Sequence, residues 1–131
     1  MTMAMAQLDF TAPCSISKLW ELFDKPGKID WQSEVFHVDV LGEGHFIEHR
    51  PDGYMRFELT HRDFYEKLEF DVETDTERGR RIILFMEEGN GARIALMDDF
   101  KSKKLIGNPM LGSLMNKRLK TMEKDLKKYF R

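Results

Sequence analysis

Residues 45–62 read HFIEHRPDGYMRFELTHR, two runs of alternating apolar and polar residues joined through R-P-D-G-Y. Alternation with a period of two marks a half-buried strand, and Pro with Gly between two such runs marks a hairpin. Pro51 suits the first central position of a turn and Gly53 the left-handed position after it, so the spacing predicts a three-residue loop with Arg50 opposite Tyr54. A two-residue Asp52-Gly53 loop would put Pro51 in the closing pair of the ladder, where its missing N–H is needed. In the three-residue register Glu48 meets Arg56 and Ile47 meets Phe57, giving a charge-complementary outer face and an apolar inner one. The inner face then carries His45, Ile47, His49, Met55, Phe57, Leu59 and His61, with three histidines turned inward.

The same period extends in both directions. Upstream, Phe36, Val38 and Val40 alternate with His37 and Asp39 and stop at Gly42-Glu43-Gly44. Downstream, after a bend at residues 62–66, Leu68, Phe70 and Val72 alternate with charged residues. The chain then turns at E-R-G (77–79), runs through 80–87, turns at E-G-N-G (88–91) and returns through 92–100. With 3–10 as an opening strand, the pattern is a meander of seven antiparallel strands.

Helical spacing flanks the meander. Ile16, Leu19, Trp20 and Phe23 recur at i, i+3, i+4 and i+7, with Ser15 as N-cap, and Pro26 ends the helix near Asp24. A further turn at 28–32 carries Ile29 and Trp31, so two short helices at an angle are expected. At the other end Asn108-Pro109 reads as an N-cap followed by proline at the first helical position. Leu111, Met115, Leu119, Met122, Leu126 and Tyr129 then line one face of a helix opposite Lys117, Lys120, Lys124 and Lys127. About 22 residues at 1.5 Å each give a rod of ~33 Å, long enough to lie across the sheet. Residues 101–107 are the only linker-like stretch.

Composition agrees with one core. The chain has 131 residues, 41% hydrophobic and 34% charged, with a mean hydropathy of -0.52, the profile of a soluble domain rather than a disordered or membrane-spanning one. A single domain over 1–131 is expected. The start, MTMAMAQLDF, lacks the basic and long apolar regions of a secretory signal, so a cytoplasmic location is expected. The lone Cys14 excludes an internal disulfide and a cysteine-based zinc site. Charge is uneven: residues 101–131 hold ten Lys or Arg against Glu123 and Asp125, whereas residues 1–100 hold eleven basic against twenty-one acidic side chains.

Strand, two short helices, six strands and a long last helix is the order of the helix-grip proteins, and the chain resembles the START/Bet v 1-like (SRPBCC) superfamily. The closest likeness is to its small polyketide cyclase/dehydrase and lipid-transport members. The stretches that carry the resemblance are T-A-P-C-S-I-S-K-L-W-E-L-F-D (11–24), Trp31 after P-G-K-I-D, V-L-G-E-G (40–44) and G-N-G-A-R-I (89–94). The resemblance implies an α+β fold in which a curved antiparallel sheet grips the C-terminal helix, with a ligand cavity between them and Trp31 at its border.

Three inward histidines raise the question of a metal. His45 and His49, four residues apart on one strand, would be ~13 Å apart at about 3.3 Å per residue, too far to share an ion bound at about 2 Å. His45 and His61 would be diagonal neighbours without a third ligand, so neither a metal nor a cofactor is expected. No established catalytic set matches the chain; Asp98 and Asp99, adjacent on a strand, face opposite sides and cannot form a dyad.

The functional expectation is therefore binding or transport of a small hydrophobic molecule: a lipid, an isoprenoid or a polyketide-like aromatic. Phe36, Met55, Phe57, Leu59, Phe70, Leu84, Met115, Leu119 and Met122 would line the cavity, the methionines making it pliable, and His49 or His61 would orient the ligand's polar group. A cyclase or dehydratase in the same cavity is the alternative, with His61, His49 and Tyr54 as chemically suitable groups and no catalytic set assigned. Contact of the basic last helix with nucleic acid or anionic membrane ranks third.

Overall fold

The computed structural model describes residues 3–131. The alternating runs become β1 (Met3–Ala12), β2 (His37–Gly42), β3 (His45–Arg50), β4 (Gly53–Asp63), β5 (Lys67–Glu73), β6 (Glu77–Glu88) and β7 (Gly91–Ser102). The helices are α1 (Ile16–Asp24) and α2 (Leu111–Tyr129). The strands form one antiparallel sheet in the order β1-β7-β6-β5-β4-β3-β2, a meander whose last strand pairs with the first. Among the described residues no helix is long and apolar enough to cross a membrane.

α2 buries Leu111, Met115, Leu119, Met122 and Leu126 and packs on β1. From its middle, Arg118 reaches Glu77 at the start of β6 (3.4 Å) and Asp52 in the β3–β4 turn (3.2 Å). The face of the sheet toward α2, the inner face, presents Leu8 and Phe10, Met55 and Phe57, Leu68, Phe70 and Val72, Ile83 and Phe85, and Ile94 and Leu96, all buried. α1 starts as its cap dictates, with Ser15 Oγ accepting from Lys18 N–H at 3.3 Å. It closes one end of the core through Trp20, whose ring lies 4.9 Å from Phe85 and 5.6 Å from Tyr65.

Four expectations need correction. The second short helix does not form: around Pro26 and Gly27 isolated turn bonds remain, Lys28 N–H to Lys25 O, Ile29 N–H to Gly27 O and Gln32 N–H to Ile29 O, and no run of helical bonds follows. α2 begins at Leu111 rather than at Pro109, because the Asn108 side chain accepts from Met110 N–H (3.0 Å) in a local turn instead of capping the helix. Residues 77–79 are strand, not turn: Gly79 lies against β7 so closely that a Cβ there would stand 2.0 Å from Asp99 O.

The fourth correction is the register of the opening hairpin. Arg50 pairs with Gly53, so the loop is Pro51-Asp52 and every partner on β3 moves by one residue. Gly53 takes its positive φ (129°) within the closing pair, and Pro51 sits in the loop, where no N–H is required. Because side chains alternate along a strand, the slip turns Phe46, Glu48 and Arg50 inward and His45, Ile47 and His49 outward.

Candidate functional site

Phe46, Phe57 and Phe70, on three neighbouring strands, form an aromatic cluster on the inner face. Phe46 stacks on Phe57 at 4.9 Å, and Phe70 meets both edge-on at 5.9 and 5.8 Å. Ile83 of β6, Met122 of α2 and Leu22 and Phe23 of α1 complete the apolar wall. Residues 25–36, which lack regular structure, cover the space, bringing Trp31 into contact with Phe23 at 5.2 Å. This segment is tied down by Ser33, whose N–H and Oγ both donate to Asp125 Oδ2 on α2 (2.9 and 3.0 Å), and by the Glu34–Arg50 ion pair at 3.0 Å.

Charged groups penetrate this apolar wall. Arg81 of β6 and Asp98 of β7 are both buried and form a two-pronged pair, Nε to Oδ1 at 2.7 Å and Nη2 to Oδ2 at 2.9 Å. The guanidinium lies 5.3 Å from the Phe57 ring centre. Burial opposes its charge, but Asp98 and Glu48 outweigh that and hold it firmly protonated. Glu48 of β3, also buried, accepts from Arg50 Nη1 at 3.2 Å. Burial pushes the Glu48 carboxyl above its ordinary value, more strongly than Arg50, Arg81 and Gln32 pull it down. The Trp31 indole N–H is buried with no hydrogen-bond partner in the protein.

The space enclosed by these groups is about 30 Å3, the room of a single water molecule. The ligand-sized cavity expected between sheet and helix is therefore not preformed. A wider concavity, about 600 Å3, lies on the opposite, outer face, where Arg56, Arg78, Arg80 and Lys101 intersperse with Glu58, Asp71, Glu73 and Asp99. It is an open, solvated trough of mixed charge.

Of the residues expected to line a cavity, Trp31, Met55, Phe57, Phe70, Met115, Leu119 and Met122 are buried in the core. Trp31, Phe57, Phe70 and Met122 also border the small space, whereas Leu59 is half-buried and packs over Gly44. Four expected positions are corrected. Phe36 is 67% exposed, at the entrance to edge strand β2, where nothing covers it. Leu84 points outward and is exposed, because the inner set of β6 is Arg81, Ile83 and Phe85. His49 faces outward through the register slip and shares the Asp39 carboxylate with His37, at 2.7 and 2.9 Å. His61 lies on the outer side of a bulge after Leu59 and pairs with Asp63 at 2.9 Å, leaving Arg62 to turn in and bond Asp24. No histidine therefore orients a ligand inside. Among the described residues no group of three His, Cys, Asp or Glu side chains is placed to hold a metal.

Glu48, Arg81 and Asp98 were missed, yet a signal for two of them existed. Arg80-Arg81 and Asp98-Asp99 are like-charged doublets on consecutive strands, and the β6–β7 register sets Arg80 against Asp99 and Arg81 against Asp98. Adjacent residues face opposite sides, so one of the two pairs had to be internal.

No protein-family model matches the chain, and no curated protein matches it. Solved structures do. A START superfamily protein from Mycobacterium smegmatis superposes with a TM-score of 0.82 at 11% identity, covering 96% of each chain. The protein XoxI from Bacillus cereus gives 0.75 at 12% identity, over 97% of this chain and 95% of its own. CalU16 from Micromonospora echinospora gives 0.70 at 11%, over 98% and 85%. With the seven-stranded meander, the helix after β1 and the long terminal helix in place, the chain has the START-like (SRPBCC) helix-grip fold.

Proposed function

We propose that the chain, acting as one domain over residues 1–131, binds a small hydrophobic molecule that carries one hydrogen-bond acceptor. The ligand enters beneath residues 25–36, its apolar body against Phe46, Phe57, Phe70 and Met122 and its acceptor oxygen on the Trp31 indole. A lipid, an isoprenoid or a polyketide-like aromatic fits that description. The observation that carries the reading is the buried Trp31 N–H without a protein partner, on a side chain that borders an aromatic space also lined by Glu48 and Arg81. A buried donor left unmet costs about 1–3 kcal/mol, and a ligand oxygen recovers it. The START-like fold supports the same reading.

The space seen is the closed state, with room for one water. Opening requires residues 25–35 to swing away, at the expense of the Ser33–Asp125 and Glu34–Arg50 ties, while Phe36 N–H keeps its bond to His49 O and the sheet beneath keeps its ladder. Titration with anilinonaphthalene sulfonate, a fluorescent aromatic probe, tests the reading. In a Trp20→Phe variant the remaining Trp31 emission is expected to quench as the probe brightens, saturating at one probe per chain. Probe brightening without any change in Trp31 would place the probe elsewhere and sink the proposal.

A second reading follows from Glu48. A carboxyl whose proton affinity burial raises, set beside an arginine in an aromatic space, is suited to protonate an enolate oxygen, the step a cyclase or dehydratase needs. In this reading Glu48 replaces His61 as the acid. Turnover that is lost in Glu48→Gln while probe affinity is retained supports catalysis; turnover unchanged in Glu48→Gln removes it.

A further inference from the structure

Between β7 and α2 the chain makes a tight turn. Gly107, at φ +86°, donates its N–H to Lys104 O at 3.0 Å, and Leu105 and Ile106 form the tip, each 92% exposed. Hydrogen bonds from backbone N–H groups fix the turn on both sides: Lys103 N–H donates to Thr76 O (2.8 Å), Lys104 N–H to the Ser102 side-chain Oγ (3.2 Å) and Met110 N–H to the Asn108 side-chain Oδ1 (3.0 Å). Turn tips ordinarily carry Gly, Pro, Asn, Asp or Ser. Two adjacent aliphatic side chains at such a place, with Met110 63% exposed a few residues on, contribute nothing to the core.

The surroundings indicate what would cover them. Lys103 and Lys104 precede the tip, and the turn leads directly into α2, whose solvent face carries Lys117, Lys120, Lys124, Lys127 and Lys128. Residues 101–131 hold ten basic and two acidic side chains, while the remainder of the chain is acidic. An apolar point beside a basic stripe complements a bilayer with anionic headgroups, which offers hydrocarbon and negative charge together. Single-stranded nucleic acid would meet the charge but calls for aromatic stacking surfaces, and the tip has none. We propose that Leu105 and Ile106 insert into the headgroup layer of an anionic membrane, with Lys104 and the basic face of α2 turned to the lipid phosphates. The pocket lies elsewhere, so this proposal does not depend on the ligand reading.

Co-sedimentation of the full chain with phosphatidylcholine vesicles, with and without phosphatidylserine, tests it. Binding is expected only to the vesicles containing phosphatidylserine, and it weakens as salt is raised. Leu105→Ser/Ile106→Ser is expected to lower binding at least about tenfold from the lost apolar insertion, with no loss of thermal stability, since both side chains are exposed. Replacing Lys117, Lys120 and Lys124 by Gln is expected to lower it by about fivefold per lysine at low salt. No binding to phosphatidylserine vesicles, or equal binding by the double serine variant, overturns the proposal. So does a wild-type dimer that the serine variant abolishes, because a second copy would then be the occupant. Unchanged probe binding by the serine variant keeps this test separate from the pocket.

Discussion

Arg80 and Asp99 face each other across β6 and β7 on the outer surface; one residue along each strand, Arg81 and Asp98 face each other on the inner surface. Residue types, strands and register are the same, and only the side of the sheet differs. Outside, the pair belongs to a solvated trough of alternating charge, where water screens each group and a lost partner is replaced by solvent. Inside, Arg81 and Asp98 are almost fully buried, bonded through two contacts and set among phenylalanines. Desolvation of a buried pair offsets much of its attraction, so an apolar filling often does as well, yet breaking the pair leaves a bare charge in the core. A core that keeps such a pair beside Glu48 and an unpartnered indole N–H is poorly explained by stability alone. That contrast favours the inner space for the proposed ligand, although the larger hollow is outside.

The comparison breaks most visibly at Asp98. Asp98→Ala is expected to lower unfolding free energy by about 3–5 kcal/mol, because Arg81 is left buried and unpaired, while Asp99→Ala stays within about 0.5 kcal/mol; urea denaturation distinguishes them. Adding Arg81→Met to an Asp98→Leu background is expected to restore most of the loss. Comparable effects of Asp98→Ala and Asp99→Ala would show that the inner pair is solvated.

At the pocket, Trp31→Phe keeps the aromatic ring and deletes the unmet donor. It is expected to weaken probe binding about tenfold, the worth of one hydrogen bond of about 1.4 kcal/mol, and to leave stability unchanged or slightly raised. Isothermal titration of probe into both proteins, with urea melts, is the check.

Glu48 sharpens the comparison through pH. Its folded pKa is raised above the ordinary value near 4.5, so between those two values the folded state binds the extra proton. Stability from this group is complete at acid pH and falls as pH rises from the unfolded value through the folded one. Glu48→Gln is expected to remove that decline, seen as a melting temperature that falls less with rising pH across this window than in the wild type. The smallest effect belongs to the lid: Ser33→Ala removes the hydroxyl bond to Asp125, costs about 1 kcal/mol or less in stability, and speeds probe association measured by stopped flow.

Periodicity suffices to place the strands, and it fixes the inward phase of β5, where Leu68, Phe70 and Val72 alternate with charged residues. It was also enough for α1 and for the buried stripe of α2. It failed at β3, where HFIEHR supplies an apolar residue to each face and the turn alone decides the phase. The preference for Gly53 inside the loop was reasonable locally, but the closing pair accommodates the glycine equally well. β6 failed for a related reason: in RRIILFM both faces are apolar, so Leu84 and Ile83 are interchangeable on pattern and only the inward Arg81 breaks the tie. Polar residues in a core invert the rule on which pattern reading depends. The candidate site is therefore the least legible part of the chain, since its inward Glu48, Arg81 and Asp98 stand where the pattern calls for apolar residues.

The most direct test is the indole N–H resonance of Trp31 in a nitrogen-resolved NMR spectrum, followed as anilinonaphthalene sulfonate is added. The account predicts a saturable shift of that resonance, with Trp20 much less affected, together with faster amide exchange in residues 25–35 before the probe closes them down. A Trp31 resonance that stays in place while the probe saturates, over a segment 25–35 as protected as the strands beneath it, would contradict the account.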